Sequence, residues 1–345
     1  GFAIGIAVLM TIILMLALAG GAPLWAVAVT CIFFIVCFLP YYIYAFCIFY
    51  SNYISKPDKL LKEMLFFSSW SLFGGIAHVA SIQGISILLN IFFTVAVNAA
   101  MGVASQVFSA VNTLVTNFQK AVQPQIVQSY FSGDKSRFLE LVFRSSKFSY
   151  FLLFFVAYPL ILICRPVVEL WLVCVPQYTV QFIQLYLIFL LIDALSGSLW
   201  VSSETIGNIA KYQFTVSSMI IMNIPIIYIL FKFGCSPVYA VIVRIAINFI
   251  THCYRIFYLK HKVNFPVRRY VVEVMFRCLW VSVCIIPVPF FLHKFLTSSW
   301  GSHILVVLTS LIISGLVIYK FGLDAKERGF VISTVTNKFM FLKKQ

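Results

Sequence analysis

The chain has 345 residues, 62% of them hydrophobic and only 10% charged, and its mean hydropathy is +1.01. Soluble domains run nearer 45 to 50% apolar and about 25% charged, so the apolar excess has to face lipid and a water-soluble globule is excluded. The net charge of +15 is, in such a protein, first a statement about which side each loop occupies; it does not argue for nucleic acid.

A span across about 30 Å of hydrocarbon takes about 20 apolar residues. Run length and breakers predict ten helices, at 2–20, 24–50, 66–94, 101–127, 148–164, 181–202, 212–231, 237–257, 277–292 and 303–321. Backbone polar groups in lipid have to bond within their own segment, and the runs are too long for barrel strands of about ten residues, so the fold class is an all-α polytopic membrane protein. The chain starts at Gly1 and is apolar from Phe2 with no basic leader, which predicts a fragment with earlier spans missing.

The loops between these helices alternate in charge. Those following the second, fourth, sixth and eighth helices, together with the tail, hold 20 of the 25 basic residues, while the intervening loops hold only Arg165, Lys232 and Lys294. The basic side is predicted to be cytoplasmic, which places residues 56–62, 133–147 and 260–276 inside. Tyr41, Tyr42, Tyr44, Tyr50 and Tyr53 read as an aromatic belt at the inner interface. Segments 133–147 and 262–276 mix basic and apolar residues at helical spacing, which fits helices lying on an anionic membrane surface or plain solvated connectors. No outer loop is long enough for a separate catalytic domain.

The third helix gathers Gly75, Gln83, Ser86 and Asn90 within about 80°. On the fourth, Ser105, Ser109, Asn112, Thr116, Gln119, Lys120 and Gln123 fall within about 100°. Polar faces in lipid meet either neighbouring spans, through interhelical hydrogen bonds, or a water-filled cavity. Lys120 either faces that cavity near the cytoplasmic mouth or snorkels to the inner interface. In the sixth helix Asp193 is the one deeply placed carboxylate. In the eighth, Arg244 leads a polar stripe through Asn248 and His252 to Arg255. A cation at that depth costs at least ~2.5 kcal/mol and needs a partner; Arg244 either pairs with Asp193 or forms a cationic site for an anionic headgroup.

The nine cysteines show no metal-ligand spacing. Cys174 and Cys235 fall in two outer loops, where a disulfide is conceivable but unpaired thiols are the commoner outcome. His78, inside a span, reads as a packing residue. No nucleophile, base and orienting acid assemble from spacing and no glycine-rich phosphate loop is present, so neither an enzyme nor a metal site is predicted.

With these residues in view, the segment from Lys59 to Asn264 resembles the polysaccharide-type, O-antigen-like flippases of the multidrug/oligosaccharidyl-lipid/polysaccharide exporter superfamily. The likeness rests on NTLVTNFQKAVQPQIVQSYFSGDKSRF (112–138), RPVVELWL (165–172) followed by Pro176, and ETIGNIAKYQ (204–213) leading to NIPIIYILFKFG (223–234). It implies a two-lobe, inverted-V transporter: residues 1–55 as the end of a truncated N-terminal lobe, 56–262 as the six-helix C-terminal lobe, and 263–345 as an additional helix pair with a cytoplasmic tail, about four spans being absent. It implies translocation of a polyprenyl-diphosphate-linked oligosaccharide to the outer leaflet of a bacterial inner membrane, for surface polysaccharide such as lipopolysaccharide O-antigen. The partners are then that substrate, membrane lipids and other polysaccharide-assembly membrane proteins. No cofactor is expected; proton or sodium coupling would use Asp193. Candidate substrate-binding residues are Lys120, Arg244, Asn112, Thr116, Gln119, Gln123, Gln83, Asn90 and Asn248. The alternatives are a multidrug cation antiporter of the same superfamily and a membrane-embedded glycan polymerase or ligase.

Overall fold

The structure, a computed structural model, describes residues 59–206, 209–296, 299–325 and 327–329. The expected helices at 2–20 and 24–50, the aromatic belt and the far C-terminal lysines lie outside them. The chain divides into two compact units, Gly1–Phe66 and Phe67–Gln345, and the second holds everything that follows. The described residues are helical throughout, without strands. In chain order the helices are α1 (Lys59–Phe92), α2 (Val95–Phe131), α3 (Lys135–Leu162), α4 (Cys164–Trp171), α5 (Thr179–Ile206), α6 (Ile209–Ile221), α7 (Asn223–Lys232), α8 (Tyr239–Val263), α9 (Val267–Tyr270), α10 (Arg277–Ile285), α11 (Pro287–Phe295) and α12 (Trp300–Val317). π-helical turns join α9 to α10 and extend α12.

Eight of the resulting rods are long and apolar enough to cross a membrane, with α6–α7 forming one and α9–α11 another. They coincide in order with the last eight predicted helices. Two expectations need correction. Residues 135–147 do not form a separate surface helix: they run without a break into α3. Residues 267–276 likewise continue into the rod ending at Phe295. The charged turns were cut off by an apolar-run criterion, although nothing in them interrupts the backbone ladder.

Local chemistry sets the helix ends. After α2, Gly133 takes φ 78°, and Asp134 caps α3 by accepting the Arg137 N–H at 2.9 Å; an αL glycine followed by an N-cap carboxylate reverses the chain in a few residues. At the end of α7, Gly234 (φ 78°) closes a Schellman turn, with Cys235 N bonded to Leu230 O at 3.1 Å and Gly234 N to Phe231 O at 3.0 Å. Between α6 and α7 the rod is kinked around Met222. Pro225 lies in the first turn of α7 and withholds from the Ile221 carbonyl the donor that would carry α6 on without a break.

Helix α5 is the hub, packed on α2, α3, α8 and the short α4. Its buried Ser196, Ser198, Ser202 and Ser203 are small enough for close approach between spans. At Gly197 an added Cβ would lie 2.3 Å from Gln119 Oε1, so glycine there leaves room for the Gln119 amide between α2 and α5. Apolar side chains fill two clusters. One contains Leu89, Met101, Phe182, Leu187 and Phe231; the other contains Phe138, Phe154, Leu199, Leu259 and Val281.

At the end where α3 begins and α12 finishes, the segment after α12 docks on α3. Lys147 Nζ lies 2.7 Å from Glu327 Oε2, both side chains being 3% exposed, and 3.2 Å from Asp324 Oδ2. Arg277 pairs with the other Asp324 oxygen, Arg144 reaches Glu327 at 3.8 Å, and Asp324 N donates to Glu327 Oε2 at 2.8 Å. The Arg277 guanidinium and Lys147 hold the Asp324 carboxyl below its usual range, against the opposing effect of burial. Lys147, read from the sequence as a loop residue, is therefore buried and paired.

Candidate functional site

Helix α8 presents Arg244, Asn248, Thr251 and Arg255 at spacings of four, three and four residues, a stripe about 60° wide. Facing it, Tyr186, Phe189 and Asp193 form a second stripe on α5 at spacings of three and four. His78 and Ser81 on α1 and Asn223 at the α6–α7 kink close the remaining sides. These groups, Tyr186 apart, line one cavity of about 180 Å³ between the spans.

Small residues and a proline set the walls. Gly74 and Gly84 let α1 settle against α6–α7: a Cβ at Gly74 would overlap the Gln213 side chain, and one at Gly84 would lie 2.7 Å from Ile224 Cδ1. Just after the interruption at Met222, Asn223 is buried, and its Nδ2 donates to Ile220 O at 2.8 Å. Asn223 Oδ1 is buried without a hydrogen-bond partner among the described residues, while the Asn248 amide lies beside the Asp193 carboxylate. Buried polar atoms are rarely left unpartnered, so the cavity keeps an acceptor available at Asn223.

Arg244 is 8% exposed. Its Nη1 donates to the Tyr186 hydroxyl at 2.7 Å, and its Cζ stands 5.2 Å from the ring centroids of both Tyr186 and Phe189. Phe108 of α2 backs both rings, at 5.2 Å and 5.9 Å between centroids. Arg255 Nε donates to the Tyr212 hydroxyl at 3.0 Å, and Tyr212 is itself packed against Tyr254 and Tyr258. Asp193 lies within the electrostatic reach of Arg255, Asn248, His78 and Arg244. Yet among the described residues neither cavity arginine makes a salt bridge.

The Arg244–Asp193 ion pair offered by the sequence is thus not formed. A desolvated cation–π contact contributes up to about 2 kcal/mol, and a hydrogen bond to a charged group about 1.5–3 kcal/mol. Together these match the ~2.5 kcal/mol insertion cost without a carboxylate, so the aromatic cradle keeps the cation in place with its charge intact.

Of the predicted residues, the structure brings Arg244, Asn248 and Asp193 together in this cavity. It does not bring the α2 face there. Gln119 Nε2 donates to Ser149 Oγ at 3.2 Å and Ala194 O at 3.1 Å, which is interhelical bonding. Thr116 bonds back to Thr113 O within its own helix. Lys120 is exposed, Asn112 and Gln123 are half-buried, and Gln83 and Asn90 on α1 are exposed; none of them lines the cavity. His252, at the edge of the α8 stripe, turns to Ser196 Oγ, 2.7 Å from its Nδ1. Cys174 and Cys235 are free thiols.

The sequence reading left out Arg255 and His78 as cavity residues. Arg255 ends the polar stripe that the sequence draws from Arg244 but is not among the substrate-binding candidates, and His78 reads as packing; both line the cavity. Thr251 and Asn223 carried no signal beyond their polarity. Among the described residues no group of His, Cys, Asp and Glu is arranged to hold a metal ion. Comparison with protein-family models, with curated proteins and with solved structures finds no match to this chain.

Proposed function

We propose that this chain belongs to a membrane transporter for an anionic, lipid-linked substrate, and specifically to a flippase that carries a polyprenyl-diphosphate-linked oligosaccharide from the cytoplasmic to the outer leaflet of a bacterial inner membrane. Transport proceeds without covalent chemistry. The observation that carries this reading is the charge of the cavity: it is lined by two guanidiniums against one carboxylate, and both arginines are bonded to phenols. At an effective dielectric of 20, a cation about 4 Å from a phosphate oxygen gains on the order of 4 kcal/mol per unit charge, which offsets part of the cost of stripping water from the headgroup. A volume of about 180 Å³ takes the phosphates and leaves the sugars outside it. The oligosaccharide and the bacterial membrane come from the resemblance described above; the cavity supports the anionic headgroup.

Asp193 favours the second reading, a cation antiporter, because a carboxylate facing a cavity between spans often marks an ion path. Deleting the full-length gene separates the two. Complete, inward-facing lipid-linked repeat units should accumulate in the deletion strain. Normal surface glycan with altered resistance to cationic dyes would overturn the flippase in favour of the antiporter.

A further inference from the structure

We infer that Tyr186 and Tyr212 are positioning residues: each fixes one cavity guanidinium by a neutral hydroxyl, and this makes the site selective for a phosphate-type anion. The inference rests on the transporter reading above and deepens it.

The two arginines share one arrangement built from different elements. Arg244 is held by Tyr186 of α5 at 2.7 Å and Arg255 by Tyr212 of α6 at 3.0 Å. Both tyrosines are buried, at 4% and 0% exposure. A guanidinium carries five N–H donors and no acceptor. The contact to Tyr186 uses Nη1, which leaves the Nε/Nη2 edge of Arg244; the contact to Tyr212 uses Nε, which leaves the Nη1/Nη2 edge of Arg255. Either edge is a fork that matches two phosphate oxygens.

The identity of the acceptor decides the charge. With phenols, the lining sums to two cations against Asp193. With carboxylates at both positions it would be two cations against three anions, and an anionic ligand would be repelled. Glu204 acts on Arg255 only through the field. The two arginines stand eleven residues apart on α8, about 16 Å along the axis. They therefore reach a ligand from opposite ends, and free rotation of either would remove the bidentate geometry.

The test is a titration of inorganic pyrophosphate into the purified full-length protein in neutral-lipid nanodiscs, followed by calorimetry, with a polyprenyl diphosphate as a parallel arm. Tyr186→Phe and Tyr212→Phe should each weaken pyrophosphate binding about tenfold to a hundredfold, the size of one hydrogen bond to a charged group. Tyr186→Glu, which keeps an acceptor but cancels the charge, should weaken it more than Tyr186→Phe does. In an Arg244→Gln background, Tyr186→Phe should have no further effect. A tyrosine serving only to pack the helices would lower binding equally in both backgrounds, and that result overturns the positioning role while leaving the site standing. Binding to Tyr186→Glu as tight as to the unmodified protein overturns the charge argument. If Arg244→Gln and Arg255→Gln both bind pyrophosphate and the polyprenyl diphosphate normally, the cationic-site reading falls and the inference with it. Loss in both arms supports selectivity for the phosphate group itself, with a larger loss in the polyprenyl arm assigning the site to a lipid headgroup; loss confined to the polyprenyl arm overturns the phosphate selectivity.

Discussion

At the end of the bundle where α12 finishes, Lys147 and Glu327 meet at 2.7 Å with both side chains 3% exposed, whereas Arg244 and Asp193 line the same cavity and do not pair. The first region brings cations and carboxylates from distant parts of the chain into direct contact, with Arg144, Arg277 and Asp324 completing the network. The second gives each cation a phenol and, for Arg244, two aromatic faces. Both arrangements let a charge remain among apolar helices. A carboxylate partner uses the charge to hold two segments together. A phenol leaves it for a ligand.

That contrast can be broken or sharpened by substitution. The largest effect is expected from Glu327→Ala, which leaves the buried Lys147 only the half-exposed Asp324 carboxylate as partner and should cost about 3 kcal/mol in unfolding of the purified protein. Replacing both members at once, Lys147→Met with Glu327→Leu, should recover most of that loss, because apolar residues of similar volume often substitute for a buried pair. If the single substitution cost no more than Arg244→Gln, the two regions would not differ in kind.

Arg244→Gln is expected to behave in the opposite way, reducing substrate flipping in membrane vesicles by about tenfold or more while unfolding shifts by no more than about 1 kcal/mol. The charge-keeping Arg244→Lys should retain part of the flux, without the fork. Lys120→Gln, from the exposed face of α2, and Lys135→Gln, at the start of α3, should leave flux unchanged; loss in the Lys120 variant would extend the site beyond the cavity. Asp193→Asn should make transport insensitive to collapse of the proton or sodium gradient, and unaltered gradient dependence would confine Asp193 to balancing the cavity's charge.

The smallest effect concerns Asp324. Its carboxyl is held below the ordinary range in the folded protein, so its contribution is fully present above the usual aspartate value of roughly 4 and is lost as pH falls through the lower folded value. The side chain is 50% exposed, and salt screens such contacts. Labelling of a cysteine introduced at position 329 should therefore rise with added salt at pH 7 and with acidification below about pH 4. In Asp324→Asn the acid-dependent part should disappear.

The eight spans were legible because an apolar run of about twenty residues has few other uses. Their ends were not: α3 starts at Lys135 rather than at 148, since charged residues continue a helix as readily as apolar ones once it leaves the lipid. Arg244 could be found because a lone cation inside an apolar run is costly. Of the two readings it offered, the ion pair with Asp193 is not formed, for a physical reason: the pattern names the charges but not the ring faces that replace a counter-ion. Periodicity on α2 identified a polar face and could not say that Gln119 would be bonded to Ser149 and a carbonyl of α5. The contact between Lys147 and Asp324 spans 177 residues, a separation at which no local pattern operates.

The interruption at Met222 has a mechanical consequence. Pro225 deprives the carbonyl of Ile221, four residues earlier, of a helical donor, so the rod from Ile209 to Lys232 bends there more cheaply than α5 or α8, neither of which contains a proline. Asn223 rides on that joint and also lines the cavity. The wall most ready to bend thus carries Asn223 and, on α6, the Tyr212 that holds Arg255, whereas Arg244 and its Tyr186 stand on the proline-free α8 and α5, like a door hung beside a fixed post.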